Sequence, residues 1–200
     1  MPTINSWNSN IPVEISKGGT NATSLSTSSG VIKYDGTRLV TSTTATIDAN
    51  NLYTNTSQPR FLAYRNGNVA NVTGNGTAYS IVFNNEIYDV GANYDPATGI
   101  FTAPKSGVYL FTAYAYMTGI STAMNLSWLQ IKTSTINCTM ADARVTGTTA
   151  DIILKNVELA KLTAGDTAYV SVSIFNGAGD TADLYGPNIG STSFSGVLLT

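Results

Sequence analysis

From Pro59 onward the chain is a succession of short strand-like runs, and no window carries the apolar period of a helix. The runs are Phe61–Tyr64, Ser80–Phe83, Ile100–Thr102, Val108–Met117, Leu126–Lys132, Asp151–Leu159, Ala168–Phe175 and Ser193–Leu199. They are rich in β-branched and aromatic residues, which fit a pleated, half-buried surface. Turn formers separate them, as in Gly91-Ala92-Asn93-Tyr94-Asp95-Pro96 and Asn176-Gly177-Ala178-Gly179-Asp180. Many short strands at this spacing predict a β-sandwich or barrel of about 140 residues, a normal domain size.

Charge narrows the function classes. Of 200 residues only 11% are charged, the net charge is −2, histidine is absent and there is one cysteine. These values argue against electrostatic capture of nucleic acid, histidine-based acid–base chemistry, Ser-His and Cys-His nucleophiles, and nearly every zinc site. An internal disulfide is impossible. Thr, Ser and Asn supply about a third of the chain, far above ordinary usage. The 42% hydrophobic content decides against disorder. No run reaches the length of a membrane span, and the start Met1–Trp7 lacks the features of a secretory signal. The expectation is a protein made inside a cell, with no nucleic-acid partner and no membrane insertion.

Residues 1–58 read differently. Large apolar groups are scattered singly or in pairs, and turn formers such as Lys17-Gly18-Gly19-Thr20-Asn21 separate them. Asp35-Gly36, flanked by Val31-Ile32 and Leu39-Val40, predicts a hairpin. The apolar area is too small for a monomeric core, so neighbouring chains are expected to complete this segment. The boundaries read as a β-rich segment over 1–46, a linker over 47–58 and a β-rich head over 59–200.

Val108-Tyr109-Leu110-Phe111 is apolar at four consecutive positions, and Val197-Leu198-Leu199 repeats the pattern. Side chains on a strand alternate between faces, so both faces here are apolar. One face of a sandwich sheet normally meets water. A second copy of the chain is the expected cover for the outer face; a loop or the N-terminal segment is the alternative.

Four ordered blocks resemble the C1q/tumour-necrosis-factor-like family. Pro59–Ala63 resembles the first strand, and Phe83–Tyr88 followed by Asn93–Pro104 and Gly107–Phe111 resembles the family signature. Leu162–Val170 and Thr192–Leu199 resemble the leucine, glycine-aspartate block and the last strand. The resemblance implies an all-β, ten-stranded jelly-roll sandwich that forms a trimer. It implies that Phe101, Tyr109, Phe111, Phe194 and Gly196 belong to the core and interface framework, with Leu110 and Leu198 beside them. Phe194 and Gly196 share a face, where glycine permits close approach of a bulky neighbour.

There is no collagen-like stretch of Gly-X-Y repeats. Instead Ile11–Leu25, Gly30-Val31-Ile32 and Asp35-Gly36-Thr37 resemble an element of phage and other viral fibre proteins. This implies a virion protein assembled in the host cytoplasm, attached to capsid or tail proteins by its N-terminal segment. The trimeric head would attach to a host-surface glycan or protein. A purely structural capsid decoration or vertex protein, and a bacterial C1q-like surface lectin, are the alternatives. Candidate binding residues in exposed loops are Arg65, Asn66, Asn68, Asn176, Asp180 and Tyr185. Asp180 and Asp183 also offer oxygens for calcium, but a polar turn explains them and no cofactor is expected. Cys138 has no charged neighbour in sequence and reads as a small core residue. The 12 carboxylates show no spacing that points to a catalytic pair, so a binding protein is expected and not an enzyme.

Overall fold

The computed structural model describes residues 30–34, 39–47, 53–135, 137–142, 150–176 and 181–199. The chain divides into two units, Met1–Ser57 and Gln58–Thr200. In the first, β1 (Gly30–Tyr34), β2 (Leu39–Ile47) and β3 (Tyr53–Asn55) form an antiparallel sheet in the order β1-β2-β3. Tyr34 pairs with Leu39, Lys33 with Val40 and Ile32 with Thr41, the hairpin expected around Asp35-Gly36. Residues 35–38 themselves, and the fibre-like stretch 11–25, lie outside the described residues. The stretch expected as a linker contains β3, because Ala45–Ile47 offer a strand edge to Tyr53–Asn55.

The second unit contains β4 (Arg60–Tyr64), β5 (Val69–Thr73), β6 (Tyr79–Ser80), β7 (Asn85–Val90), β8 (Tyr94–Asp95) and β9 (Ile100–Thr102). It continues with β10 (Gly107–Ile120), β11 (Leu126–Thr133), β12 (Asn137–Asp142) and β13 (Ala150–Leu162). Last come β14 (Thr167–Phe175), β15 (Ala182–Tyr185) and β16 (Ser193–Leu198). One seven-stranded sheet runs β5-β15-β10-β16-β4-β7, with β13 paired along β10. The other, six-stranded, runs β12-β11-β14-β9-β8, with β6 paired to β14. The sandwich is thus all-β, as expected. Short pieces such as β6 and β8 add to the ten strands anticipated.

Period-two alternation builds the core. Along β10, Tyr109, Phe111, Ala113, Ala115 and Met117 are buried, while Leu110, Thr112, Tyr114 and Tyr116 between them are partly exposed. Phe61, Phe101, Tyr109, Phe111 and Phe194 are each at most 1% exposed. Their rings interlock: Phe61 lies 5.0 Å from both Phe101 and Phe194, and Phe111 lies 5.8 Å from Phe194. Such aromatic contacts add to the area they bury.

Strand β10 is longer than its partners and changes neighbour partway along. Tyr109–Tyr114 pair with β16, and Tyr116–Thr118 pair with β15. At the change, the buried Thr192 hydroxyl accepts from the Tyr116 N–H at 3.0 Å and donates to the Tyr185 carbonyl at 2.7 Å. A side chain therefore supplies the ladder bonds where two strands meet end to end.

Candidate functional site

The outer face of the seven-stranded sheet is crossed by apolar and aromatic rows. Leu159 of β13, Leu110 of β10, Val197 of β16 and Arg60 of β4 lie in one row. The next holds Val157, Thr112, Ser195, Leu62 and Tyr88. A third holds Lys155, Tyr114, Ser193, Tyr64 and Asn85, with the Lys155 ammonium 5.5 Å from the Tyr114 ring centroid. On β13, the edge strand beside β10, Ile153, Val157 and Leu159 are 56%, 61% and 60% exposed. Lys155 stands between Ile153 and Val157, but monomeric surfaces scatter single apolar residues, and three on one face of one strand are of another kind. Leu110 is half-buried on this face, whereas Tyr109 and Phe111 face the core, and Leu198, in register with Tyr109, packs against the core.

At one end of this face Tyr116 and Tyr185 rings meet edge-on, 4.9 Å apart. The Tyr116 hydroxyl donates to Asp151 at 2.9 Å. Losing that bond on ionisation, with burial and the Asp151 charge added, raises its pKa above the ordinary tyrosine value.

The loop residues singled out from sequence are partly brought together. The Gly67 N–H donates to the Gly186 carbonyl at 2.6 Å, and the Gly186 N–H donates to Asn68 Oδ1 at 3.0 Å. Arg65 packs its stem against Gly186 and donates to the Gly67 and Val82 carbonyls at 3.0 and 3.4 Å. Asn66 and Asn68 are exposed, and Tyr185 is partly so. Asn176, expected in an exposed binding loop, is instead 0% exposed. Its Oδ1 accepts from Ser121 N–H at 2.6 Å, and its Nδ2 donates to the Gly119 carbonyl at 3.1 Å and Thr181 Oγ1 at 2.9 Å. It ties Gly119 and Ser121 to Thr181 from inside. Asp180 and the Cys138 side chain lie outside the described residues. Asp183 Oδ1 accepts from the Asn71 N–H at 2.7 Å, a bond between the paired strands β15 and β5. Among the described residues no three His, Cys, Asp or Glu side chains gather as a metal site.

Three carboxylates cluster near β7 and β8. Asp89 accepts from the Tyr94 N–H at 2.8 Å. Burial, then repulsion from Asp89 and Asp95, raises the Glu86 pKa. Tyr94, buried and donating to the Phe83 carbonyl at 3.0 Å, titrates well above the ordinary tyrosine range, chiefly because burial disfavours its charged form.

The outer face of the six-stranded sheet holds a surface that strand counting did not single out. Trp128 of β11 is half-buried, and its ring meets Phe175 of β14 edge-on at 5.5 Å. Phe175 lies over Gly76, where a Cβ would collide with its ring. Trp128 pairs with Ser173 and Gln130 with Ser171, whose other neighbour in register is Ser80 of β6. The signal in sequence was Ser171-Val172-Ser173, small polar groups alternating with core residues opposite a tryptophan.

A family comparison matches residues 61–199 to the C1q domain. Among solved structures, the globular domain of zebrafish complement 1qA protein aligns at TM-score 0.50 and 18% identity, covering 71% of this chain and 98% of that one. Murine APRIL at pH 5.0 aligns at TM-score 0.50 and 11% identity, covering 71% of this chain and 99% of that one. No curated protein sequence matches. Identities this low support the fold alone, but the family match spans nearly the whole sandwich, and this chain belongs to the C1q domain family.

Proposed function

We propose that the chain is one subunit of a homotrimeric binding head carried on a viral fibre. The head works by contact with a host-surface glycan or protein, and the N-terminal segment joins it to capsid or tail proteins. The observation that carries the self-association is the outer row of Ile153, Val157 and Leu159, each more than half exposed, beside Leu110 and Val197. Burying such a row against a second copy removes apolar area from water, at roughly 25 cal/mol per Å². Cyclic symmetry then closes the assembly without open-ended growth. Three identical heads sum weak contacts to a surface through effective concentration. The viral setting is supported by the fibre-like residues 11–25 and by an N-terminal unit too poor in large apolar groups to build a core alone.

Sedimentation of the full chain tests the assembly: three times the mass of one chain is expected, and a clean monomer overturns it. Immunolabelling of particles tests the setting. Label on particles, with host-cell binding by purified head, is the expected result. Label without host binding favours a purely structural decoration protein.

A further inference from the structure

We infer that Trp128, Gln130, Ser171 and Ser173 form a site for a neutral sugar ring on the outer face of the six-stranded sheet. The inference deepens the binding role proposed above and relies on it only for the ligand's setting, a host surface.

The first observation is a hydroxyl with no partner. Ser171 is 2% exposed, and its Oγ makes no hydrogen bond. Two other buried hydroxyls of the sandwich are bonded: Thr192 as above, and Thr73 to the Thr77 carbonyl at 2.7 Å and the Ile174 N–H at 3.1 Å. An orphaned buried polar atom costs stability and asks for a reason. Ser171 belongs to the outward set of β14, because Ala168, Val170, Val172 and Ile174 face the core. It faces Gln130 across one ladder and the exposed Ser80 across the other.

The second observation is the wall beside it. Trp128 sits one outward position from Gln130 and directly opposite Ser173, which is 3% exposed. The edge contact with Phe175, itself lodged over Gly76, orients the indole. Small serines on β14 thus lie in register beside the large side chains Trp128 and Gln130 of β11.

The chemistry of a pyranose matches both. One face of the ring presents C–H groups, which pack against an indole, and its edge presents hydroxyls that both donate and accept. Gln130 supplies an amide with both functions, and the serine hydroxyls likewise. Binding on this reading requires Gln130, opposite Ser171 in register, to move so that Ser171 Oγ meets a ligand hydroxyl. On β11 and β14 the described side chains of this face carry one charge, that of Lys132, two positions along from Gln130. Trp128, Gln130, Ser171 and Ser173 carry no charge themselves, which suits a neutral ligand. The site lies on the opposite sheet from the apolar rows of β10 and β13, so it stays open when those rows are covered.

The test uses the full chain with Trp7→Phe, which leaves Trp128 as the sole tryptophan. The probes are the methyl pyranosides of glucose, galactose, mannose, fucose and N-acetylglucosamine. At least one is expected to change Trp128 emission saturably in the millimolar range, and Gln130→Met to weaken it about tenfold, the scale of one or two hydrogen bonds. Ser171→Ala should weaken it too, while circular dichroism stays unchanged. No saturable change with any probe overturns the inference, as does a change untouched by both substitutions in folded protein. Sedimentation and host-cell binding of the same variants separate the two readings. Trimers that bind cells but no probe refute the sugar site alone; a monomer that binds the probe refutes the assembly alone.

Discussion

Gly196 of β16 pairs with Phe111 of β10 on one side and Phe61 of β4 on the other, and a Cβ on it would come within 2.7 and 2.6 Å of their rings. Both rings are fully buried and locked among other aromatics. Neither can swing aside into solvent. Gly196→Ala should therefore strain the core and lower stability by about 1–3 kcal/mol, as overpacking does. Urea unfolding of the variant should show an earlier midpoint at unchanged slope; an unmoved midpoint would mean that the rings yield.

Thr192→Val keeps shape and removes the hydroxyl that joins β10, β15 and β16. The Tyr116 N–H and the Tyr185 carbonyl would both lose their partner. Leaving a buried donor unmet costs about 1–3 kcal/mol. The loss should be local as well as global. Amide exchange at Tyr116 should accelerate more than at Phe111, which lies well inside the β16 ladder.

The aromatic core was legible because Val108-Tyr109-Leu110-Phe111 and Phe194-Ser195-Gly196 put large rings and a gap at fixed spacing on strands. The strand Ile100–Thr102 was legible for the same reason and is β9 at the same bounds. By contrast β7 reads Asn85-Glu86-Ile87-Tyr88-Asp89-Val90, with little burial, and its pairing with β4 decides its state. Short β5 and β15 are likewise made by tertiary pairing with each other. Asn176 looked like a loop tip because Asn-Gly followed by Ala-Gly-Asp is turn chemistry. Its side chain is drawn inward by three hydrogen bonds, to Ser121, Gly119 and Thr181, which no local pattern reveals. The proposed sugar site needed Trp128 and Ser173, far apart in sequence, to be set in register.

The apolar row on β13 predicts its own disruption. Leu159 is 60% exposed and lies opposite Leu110. Leu159→Lys adds a charge where a single chain tolerates it, so the fold should persist with unchanged circular dichroism. Burying that ammonium against a second copy is costly. Sedimentation should shift the variant from trimer to monomer. A trimer that survives both Leu159→Lys and Val157→Lys would place the contact elsewhere.

Asp95 gives a pH dependence with a definite sign. Its carboxylate accepts from the Thr98 hydroxyl at 2.8 Å and from the Ala97 N–H at 2.9 Å. These bonds, Thr98 first, favour the charged form and hold its pKa below the ordinary 3.8. A depressed carboxyl contributes its stabilisation above the unfolded pKa and loses it as pH falls through the folded one. The turn Asp95–Thr98 should therefore loosen only below pH 3.8. Carbon NMR of the Asp95 carboxyl should record a midpoint below that value, and Thr98→Val should move it upward. Glu86 titrates on the other side of its ordinary value, partly through Asp95, so Asp95→Asn should lower the Glu86 midpoint in the same spectra. If Thr98→Val leaves the Asp95 midpoint where it was, the side-chain bond is not what holds the carboxylate ionised.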